Sequence, residues 1–400
     1  MQQRLSDLAT IGQLSCGGVR RTAYSPEDLA ARQSVVAAMA QAGMTVSIDA
    51  AGNIIGRYSG LQNLPALATG SHIDTVPAGG RYDGALGVLA GIEVVATLHE
   101  AGQRLNHPIE VMVFTDEEGE MIGSKAMAGN AHYTHADFYR RPDGTTIQTC
   151  LQRIGGNWEQ LRTAQRTAQE IAAYLELHVE QGGVLEAKDC QIGVVQGIVS
   201  LQRYLVTITG RPNHAGTTPM EMRQDALYAA SLLVAAVHDV AMDIPGEQVA
   251  TVGHLNVTPN AANIVPGQVD LTIDLRDLSL TTIEAMVTTL EQRVQAIEAA
   301  TGTQIHLERQ HAVAPTLAST TVQETISAVC DTLKLSHYSM PSRAIHDAQE
   351  IGRFTKMGMI FVPSQAGVSH AEDEYTSPEQ CGQGADVLLH TLLQLDLSLP

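Results

Sequence analysis

Five short polar clusters hold the histidines and carboxylates of this chain that could do chemistry together. Three follow apolar runs directly: GSHIDT at 70–75, TDEEG at 115–119 and HVEQG at 178–182. A fourth, GRYDG at 80–84, is a glycine-rich loop ahead of a long apolar stretch, and the fifth is GVSHAE at 367–372. A single histidine or acid on a loop is ordinarily a surface or cap residue. Together, His72, Asp83, Glu118, His178 and His370 make a donor set without cysteine, the combination that suits zinc, manganese, cobalt or nickel. Two such ions about 4 Å apart need one carboxylate between them and can then activate water for hydrolysis. Rival motifs fail on spacing. Gly84, Gly87 and Gly91 do not make GxGxxG, 119–125 does not make a phosphate loop, and HExxH is absent.

The elements that must position these clusters follow from local patterning. Ser25-Pro26-Glu27-Asp28 reads as a cap, a proline in the first turn and first-turn acids, which predicts a helix running to Gly43. Apolar runs at 45–48, 54–58, 66–69, 109–115 and 175–179 predict strands, alternating with helices at 84–98 and 158–173. That rhythm predicts an α/β fold, a mixed sheet with helices on both faces, and puts the clusters at carboxyl ends of strands, where open α/β sheets bind ligands. Over 198–312 the order becomes strand 205–209, helix 225–240, strands 250–256 and 269–275, helix 280–301 and strand 304–308. This β-α-β-β-α-β order is a split unit that folds as a small sandwich. Past Pro315 helices return, with a strand at 359–362 and a last helix capped at Ser377-Pro378-Glu379. The chain therefore reads as a discontinuous catalytic domain, 1–197 and 313–400, interrupted by an inserted α+β domain at 198–312.

Composition bounds the partners. Four hundred residues bury ample core without help from metal or disulfide. With 24 Lys and Arg against 43 Asp and Glu, the formal charge is −19, which argues against nucleic-acid and anionic-membrane partners. The five cysteines, Cys16, Cys150, Cys190, Cys330 and Cys381, are odd in number, scattered and without a CxxC pair, as expected of reduced thiols in a cytoplasmic protein. Residues 1–7 lack the pattern of a secretory signal, and no apolar run is expected to span a membrane.

Seven motifs in order carry a family resemblance: GSHIDTV (70–76), GGRYDGALGVLAG (79–91), FTDEEG (114–119), LHVEQG (177–182), GRPNHAGTTPM (210–220), NIVPGQVDLTIDLRD (263–277) and GVSHAEDEYT (367–376). The chain resembles the hydantoinase/carbamoylase amidase group of the M20-type di-metal peptidases over nearly its whole length. The resemblance implies two divalent ions per subunit, with Asp83 bridging, His72 and His178 completing one site, and Glu118 and His370 the other. It makes Asp74 the carboxylate that orients the His72 imidazole and Glu117 the general base that moves a proton from water to the leaving nitrogen. It implies a homodimer formed through the inserted domain, which also acts as a lid, with His214 reaching the partner subunit's site to stabilise the oxyanion. Gln181, Asn263 and Arg276 would bind the carboxylate and ureido group of a small substrate, a task suited to the planar fork of arginine; the other reading of Arg276 is an ion pair with Asp274 or Asp277.

The implied reaction is hydrolysis of an N-carbamoyl-L-amino acid to amino acid, carbon dioxide and ammonia. Allantoate amidohydrolases and β-ureidopropionases share the same motifs and are the alternative substrates' enzymes. An M20-type aminopeptidase or aminoacylase would share the metal site, whereas LHVEQG and DLRD favour the amidase; a non-catalytic homologue would be expected to lose Glu117 or a ligand, and all are present.

Overall fold

The computed structural model describes residues 1–399. The strands are, in chain order, β1 (Thr45–Ile48), β2 (Ile54–Tyr58), β3 (Ala66–His72), β4 (Ile109–Phe114), β5 (Ile171–Val179) and β6 (Ile192–Ile198). Then come β7 (Ser200–Thr209), β8 (Asn213–His214), β9 (Val249–Thr258), β10 (Ile264–Val265), β11 (Gln268–Asp277) and β12 (Gln304–Val313). The last are β13 (Thr316–Leu317), β14 (His337–Ser342) and β15 (Lys356–Val362). The chain divides into two compact units, Met1–Ile198 with the segment from Leu317 onward, and Val199–Thr316.

The first unit is built on a nine-stranded sheet in the order β1-β2-β4-β3-β5-β15-β6-β13, with β14 also paired to β6. Its centre is parallel, β4-β3-β5-β15, and antiparallel pairs flank it at β2-β4 and β15-β6. The expected mixed α/β sheet is thus observed. The central strands are buried along nearly their whole length because helices cover both faces. On β15, Ile360 and Val362 join Leu175, Val322, Ile92 and Leu388 on one side, while Met359 and Phe361 join Phe114, Tyr174 and Ala348 on the other. Each such aliphatic or aromatic side chain contributes roughly 1.5–3 kcal/mol on burial. Helix starts obey local chemistry: Ser25 accepts from the Asp28 amide ahead of Pro26–Gln41, and Ser377 with Gln380 closes a capping box ahead of Pro378–Ser398.

The second unit is a four-stranded antiparallel sheet, β12-β7-β11-β9, with the helices Ala226–Asp243 and Leu280–Thr301 on one face. Val206 and Ile208 of β7 and Leu271 and Ile273 of β11 point into a core shared with Leu233 and Leu290, as alternation along a half-buried strand requires. The helix Ala226–Asp243 has the length and mean hydropathy, 1.4, of a membrane span, contrary to the expectation that no stretch would. Its apolarity is explained by packing, since Ala226, Ala229, Ala230, Leu233, Val237 and Val240 are buried against the sheet.

One predicted element is wrong. The helix expected over 158–173 is a short 3-10 turn, Trp158–Ala164, and Ile171 already begins β5. A tight turn ends the helical path, with the Glu170 carboxylate accepting from the Thr167 amide and hydroxyl, and β3 and β15 then claim the following backbone by parallel pairing.

Candidate active site

Three neighbouring parallel strands deliver the donors of the first unit. His72 is the last residue of β3, His178 lies one residue before the end of β5, and Glu117-Glu118 follow β4 in a turn. Asp83 sits in the loop before the helix Ala85–Glu100, and His370 in the irregular stretch after β15. The Asp83 carboxylate is shared between two groups. Its Oδ1 lies 3.1 Å from His178 Nε2 and 3.8 Å from His72 Nε2, and its Oδ2 lies 3.1 Å from His370 Nε2, which is 3.6 Å from Glu118 Oε1. Within each group, His72-Asp83-His178 and Asp83-Glu118-His370, the donor atoms lie within 4.8 Å of one another, close enough to hold one ion per group.

The tautomers of the two buried histidines are fixed from behind. His72 Nδ1 donates to the Asp74 carbonyl at 2.9 Å and His178 Nδ1 to the Val179 carbonyl at 2.8 Å, which turns both Nε2 atoms toward the site, that of His178 also receiving the Gly84 amide at 3.3 Å. The donor set therefore fits divalent ions that take imidazole and carboxylate ligands. Room is made by Gly84, at φ 63°, where a Cβ would stand 2.4 Å from His72 Nε2.

The electrostatics describe a crowded anionic site. Burial and the Asp83 charge push the Glu118 carboxyl up to about 7. Burial, followed by Asp347, Glu118, Asp83 and Asp74, pushes Glu117 well above the carboxylate range. Burial opposes ionisation of Asp83 too, but its bonds to His178 and His370 win and hold it well below its ordinary value. His370 is raised to about 9 by its bond to Asp83; His178 reaches about 9 because Asp83 and Glu176 overcome its burial, whereas burial takes His72 down to about 4. Dications placed among these carboxylates would reverse much of this crowding.

The surrounding loops are held in sparsely populated conformations: Asp116, Gln181 and His370 have φ of 60°, 59° and 55°. Gln181 lies against the shared carboxylate, its Nε2 3.2 Å from Asp83 Oδ2 and 3.3 Å from His370 Nε2. Asp74 differs from the expectation. It orients His72 through its backbone oxygen; its carboxylate, 3.8 Å from the ring, instead accepts the amides of Glu117 at 3.4 Å and Glu118 at 3.2 Å. Two N–H donors compete better for a buried carboxylate than a ring already satisfied by a carbonyl. Glu117 Oε2 is 3.5 Å from His72 Nε2, at the edge of the first donor group.

The other three expected site residues belong to the second unit. His214 is exposed in the β8-β10 ribbon, paired with Ile264, and its Nδ1 accepts from the amides of Gly216 at 3.0 Å and Thr217 at 3.3 Å. That pattern leaves Nε2 as the ring's donor. Asn263 adjoins it, its carbonyl accepting the Ala215 amide. Arg276 grips Asp274 through Nε at 2.7 Å and Nη2 at 3.4 Å, and Arg203 shares that carboxylate at 2.8 Å, so the ion pair weighed from the sequence is formed.

Several supporting residues escaped the sequence reading. Glu176, two residues before His178 and so on the same strand face, accepts Ser71 Oγ at 2.7 Å, Tyr174 OH at 3.2 Å and the Ala348 amide at 3.0 Å. His346 stacks edge-on to His178 at 4.5 Å, and burial keeps it neutral. Glu176, His178 and His346 also form a donor group, though three hydrogen-bond donors already engage the Glu176 carboxylate. The period-two alternation of Tyr174, Glu176 and His178 was the available signal.

The sequence profile of peptidase family M20/M25/M40 matches residues 68–394. The chain belongs to that family. It is 39% identical to the N-carbamoyl-L-amino acid amidohydrolase of Geobacillus stearothermophilus, over 98% of this chain and 97% of that one. It is 34% identical to the allantoate amidohydrolase of Bacillus subtilis (strain 168), over 97% of this chain and 95% of that one. A crystal structure of a hydantoinase/carbamoylase family amidase from Burkholderia multivorans superposes with a TM-score of 0.92 at 36% identity, covering 98% of this chain and 96% of that one. This M20-family member is a hydrolase acting on C–N bonds.

Proposed function

We propose that this M20-family chain hydrolyses the terminal carbamoyl C–N bond of N-carbamoyl-L-amino acids, releasing ammonia and a carbamate that loses carbon dioxide to leave the amino acid. The observation that carries the reading is the Asp83 carboxylate shared between two histidine-containing donor groups, with Glu117, its side chain 9% exposed, beside them. His72, Asp83 and His178 would hold one divalent ion, and Asp83, Glu118 and His370 a second, of zinc, manganese, cobalt or nickel. Such ions supply Lewis-acid polarisation of the carbonyl and lower the pKa of water.

The chain's own groups do the rest. Glu117 sits in a setting that raises its proton affinity, which suits it to take a proton from the attacking water and return it to the departing nitrogen. Asp74 holds the amides of Glu117 and Glu118 and so fixes the base relative to its neighbouring ligand. His214, whose Nδ1 accepts two backbone amides, would donate from Nε2 to the developing oxyanion in the partner subunit's site. Arg276, Asn263 and Gln181 would bind the substrate's carboxylate and ureido group, Arg276 exchanging part of its bond to Asp274 for the substrate. The working form would be a homodimer through the second unit, which would serve as its lid, and five unpaired thiols favour a reducing, cytoplasmic setting.

Ammonia release by metal-loaded enzyme from a panel of N-carbamoyl-L-amino acids, N-carbamoyl-β-alanine and allantoate tests this reading. A kcat/KM highest for an N-carbamoyl-L-amino acid is expected. A clear preference for allantoate would overturn the substrate assignment while leaving the hydrolytic machinery as described.

A further inference from the structure

Two segments nearly three hundred residues apart in sequence supply Asp83 and His370, and neither is a strand. Asp83 is carried by the 79–84 loop, and His370 by an irregular stretch in which its own backbone is left-handed and its side chain is 48% exposed. By contrast His72 and His178 are strand residues, nearly fully buried, each with Nδ1 tied to a carbonyl. Something must hold Asp83 and His370 in register. One buried side chain touches both segments.

Glu374, 4% exposed, accepts the amide of Asp83 at 3.1 Å and that of Tyr82 at 2.9 Å on Oε1. On Oε2 it accepts the hydroxyl of Ser369, the residue before His370, at 3.1 Å. The loop closes directly on this carboxylate, since a Cβ on Gly80 would fall 2.3 Å from Glu374 Oε1. Next door, the Tyr82 and Tyr375 rings meet edge to face at 6.0 Å, adding an apolar contact between the same two segments. Beyond this, the two ligands meet directly at 3.1 Å and share the Gln181 amide, whose Nε2 lies 3.2 Å from Asp83 Oδ2 and 3.3 Å from His370 Nε2.

The geometry points to Glu374 as a positioning residue that locks the bridging carboxylate's loop to the His370 loop and so builds the Asp83-Glu118-His370 site. Resting on the two-ion reading above, the inference concerns how that site is assembled. The two loop amides need an acceptor oxygen facing them, and the Ser369 hydroxyl a polar partner on the other arm of the side chain. Glutamine keeps that oxygen and offers Ser369 Oγ an amide donor in place of an acceptor, whereas alanine removes both ends of the clamp. The His72-Asp83-His178 site, braced by strands and carbonyls, depends on the clamp far less.

Metal-stripped full-length protein titrated calorimetrically with Zn²⁺ alone tests this, with Glu374→Ala, Glu374→Gln and Ser369→Ala beside the natural protein. In Glu374→Ala the weaker of two resolved sites should lose about 10–100-fold in affinity, the scale on which groups behind metal ligands act, while the tighter changes little. Glu374→Gln should restore both sites to near their natural affinities, a rescue that a merely structural role for the charge would not give. Should Glu374→Ala fail to fold, Ser369→Ala, which cuts only the His370 end, is expected to weaken the same site alone. Two undisturbed sites in Glu374→Ala, or in Ser369→Ala where that variant stands in, overturn the clamp. Failure of the natural protein to bind two ions would instead overturn the two-ion reading itself.

Discussion

Gly84 presses directly on a metal-facing imidazole, and replacing it with alanine separates stability from metal binding. With φ 63° and ψ −48°, and the Ala85 amide bonded to the Asp83 carbonyl at 2.6 Å, Gly84 is the centre of a γ-turn outside the left-handed helical region, where an L-residue costs about 1–3 kcal/mol, a sum that a chain with cores of this size can absorb. The new methyl carbon would stand 2.4 Å from His72 Nε2, against the 3.4–4 Å of ordinary contact, so ring and loop must part by about 1 Å. His72 has little freedom to yield elsewhere, because Nδ1 is held by the Asp74 carbonyl and the side chain is buried. Metal-ligand distances tolerate only about 0.2 Å, so the displaced imidazole ceases to be a ligand. Loss of a ligand should cost more than the roughly 10–100-fold seen for the groups behind ligands. Gly84→Ala should therefore show a modestly lowered melting temperature when metal-free, a natural circular dichroism spectrum, and about one firmly held ion per chain after equilibrium dialysis against zinc. Two ions held at natural affinity would refute the reasoning, because the methyl group and a bound ion at His72 Nε2 cannot share the same space.

Further tests address the chemistry. Glu117→Gln keeps size and removes the base, so kcat should fall by about 10²–10⁴ with the metal content unchanged; an active variant would remove Glu117 from its role. Equal mixing and refolding of inactive Glu117→Gln and His214→Ala proteins should recover about a quarter of natural activity, since half the dimers are mixed and each has one intact site if His214 acts across the interface. No recovery would place His214 on its own subunit's site. In the metal-stripped protein His178 and His370 have folded values raised to about 9 from an ordinary 6.5, so the stability they contribute is complete below pH 6.5 and is lost as pH climbs to 9. Thermal melts of stripped enzyme should fall over that window, while zinc, which binds deprotonated histidine, should stabilise increasingly across it. Arg276→Lys should raise KM for the carboxylate substrate with kcat less affected, because lysine keeps charge but loses the bidentate fork.

What could be read in advance, and what could not, divides along the range of the interactions concerned. His72, Glu118 and His178 stood out because each lies within a few residues of a strand end, and strand ends were legible as apolar runs: β3 presents His72, β4 leads to Glu117-Glu118 and β5 presents His178. The supports did not, because they arrive from segments that meet only after the sheet has formed. Glu374 reaches back to the loop at Asp83, and the Ala348 amide reaches Glu176, through pairings that depend on β15 lying beside β5. Asp74 shows the limit even within two residues: its spacing from His72 was informative, yet spacing alone does not say whether the backbone oxygen or the carboxylate takes the ring proton. The misread stretch after Trp158 has the same origin, since nothing local distinguishes a helix from a strand whose partners lie elsewhere in the chain. The formal charge of −19 likewise says little about the site. Asp74, Asp83, Glu117, Glu118, Glu176 and Asp347 gather around one buried centre, and burial alone pushes most of them toward their neutral forms. A fold that concentrates carboxylates at such a cost is best explained by cations that are part of its working state.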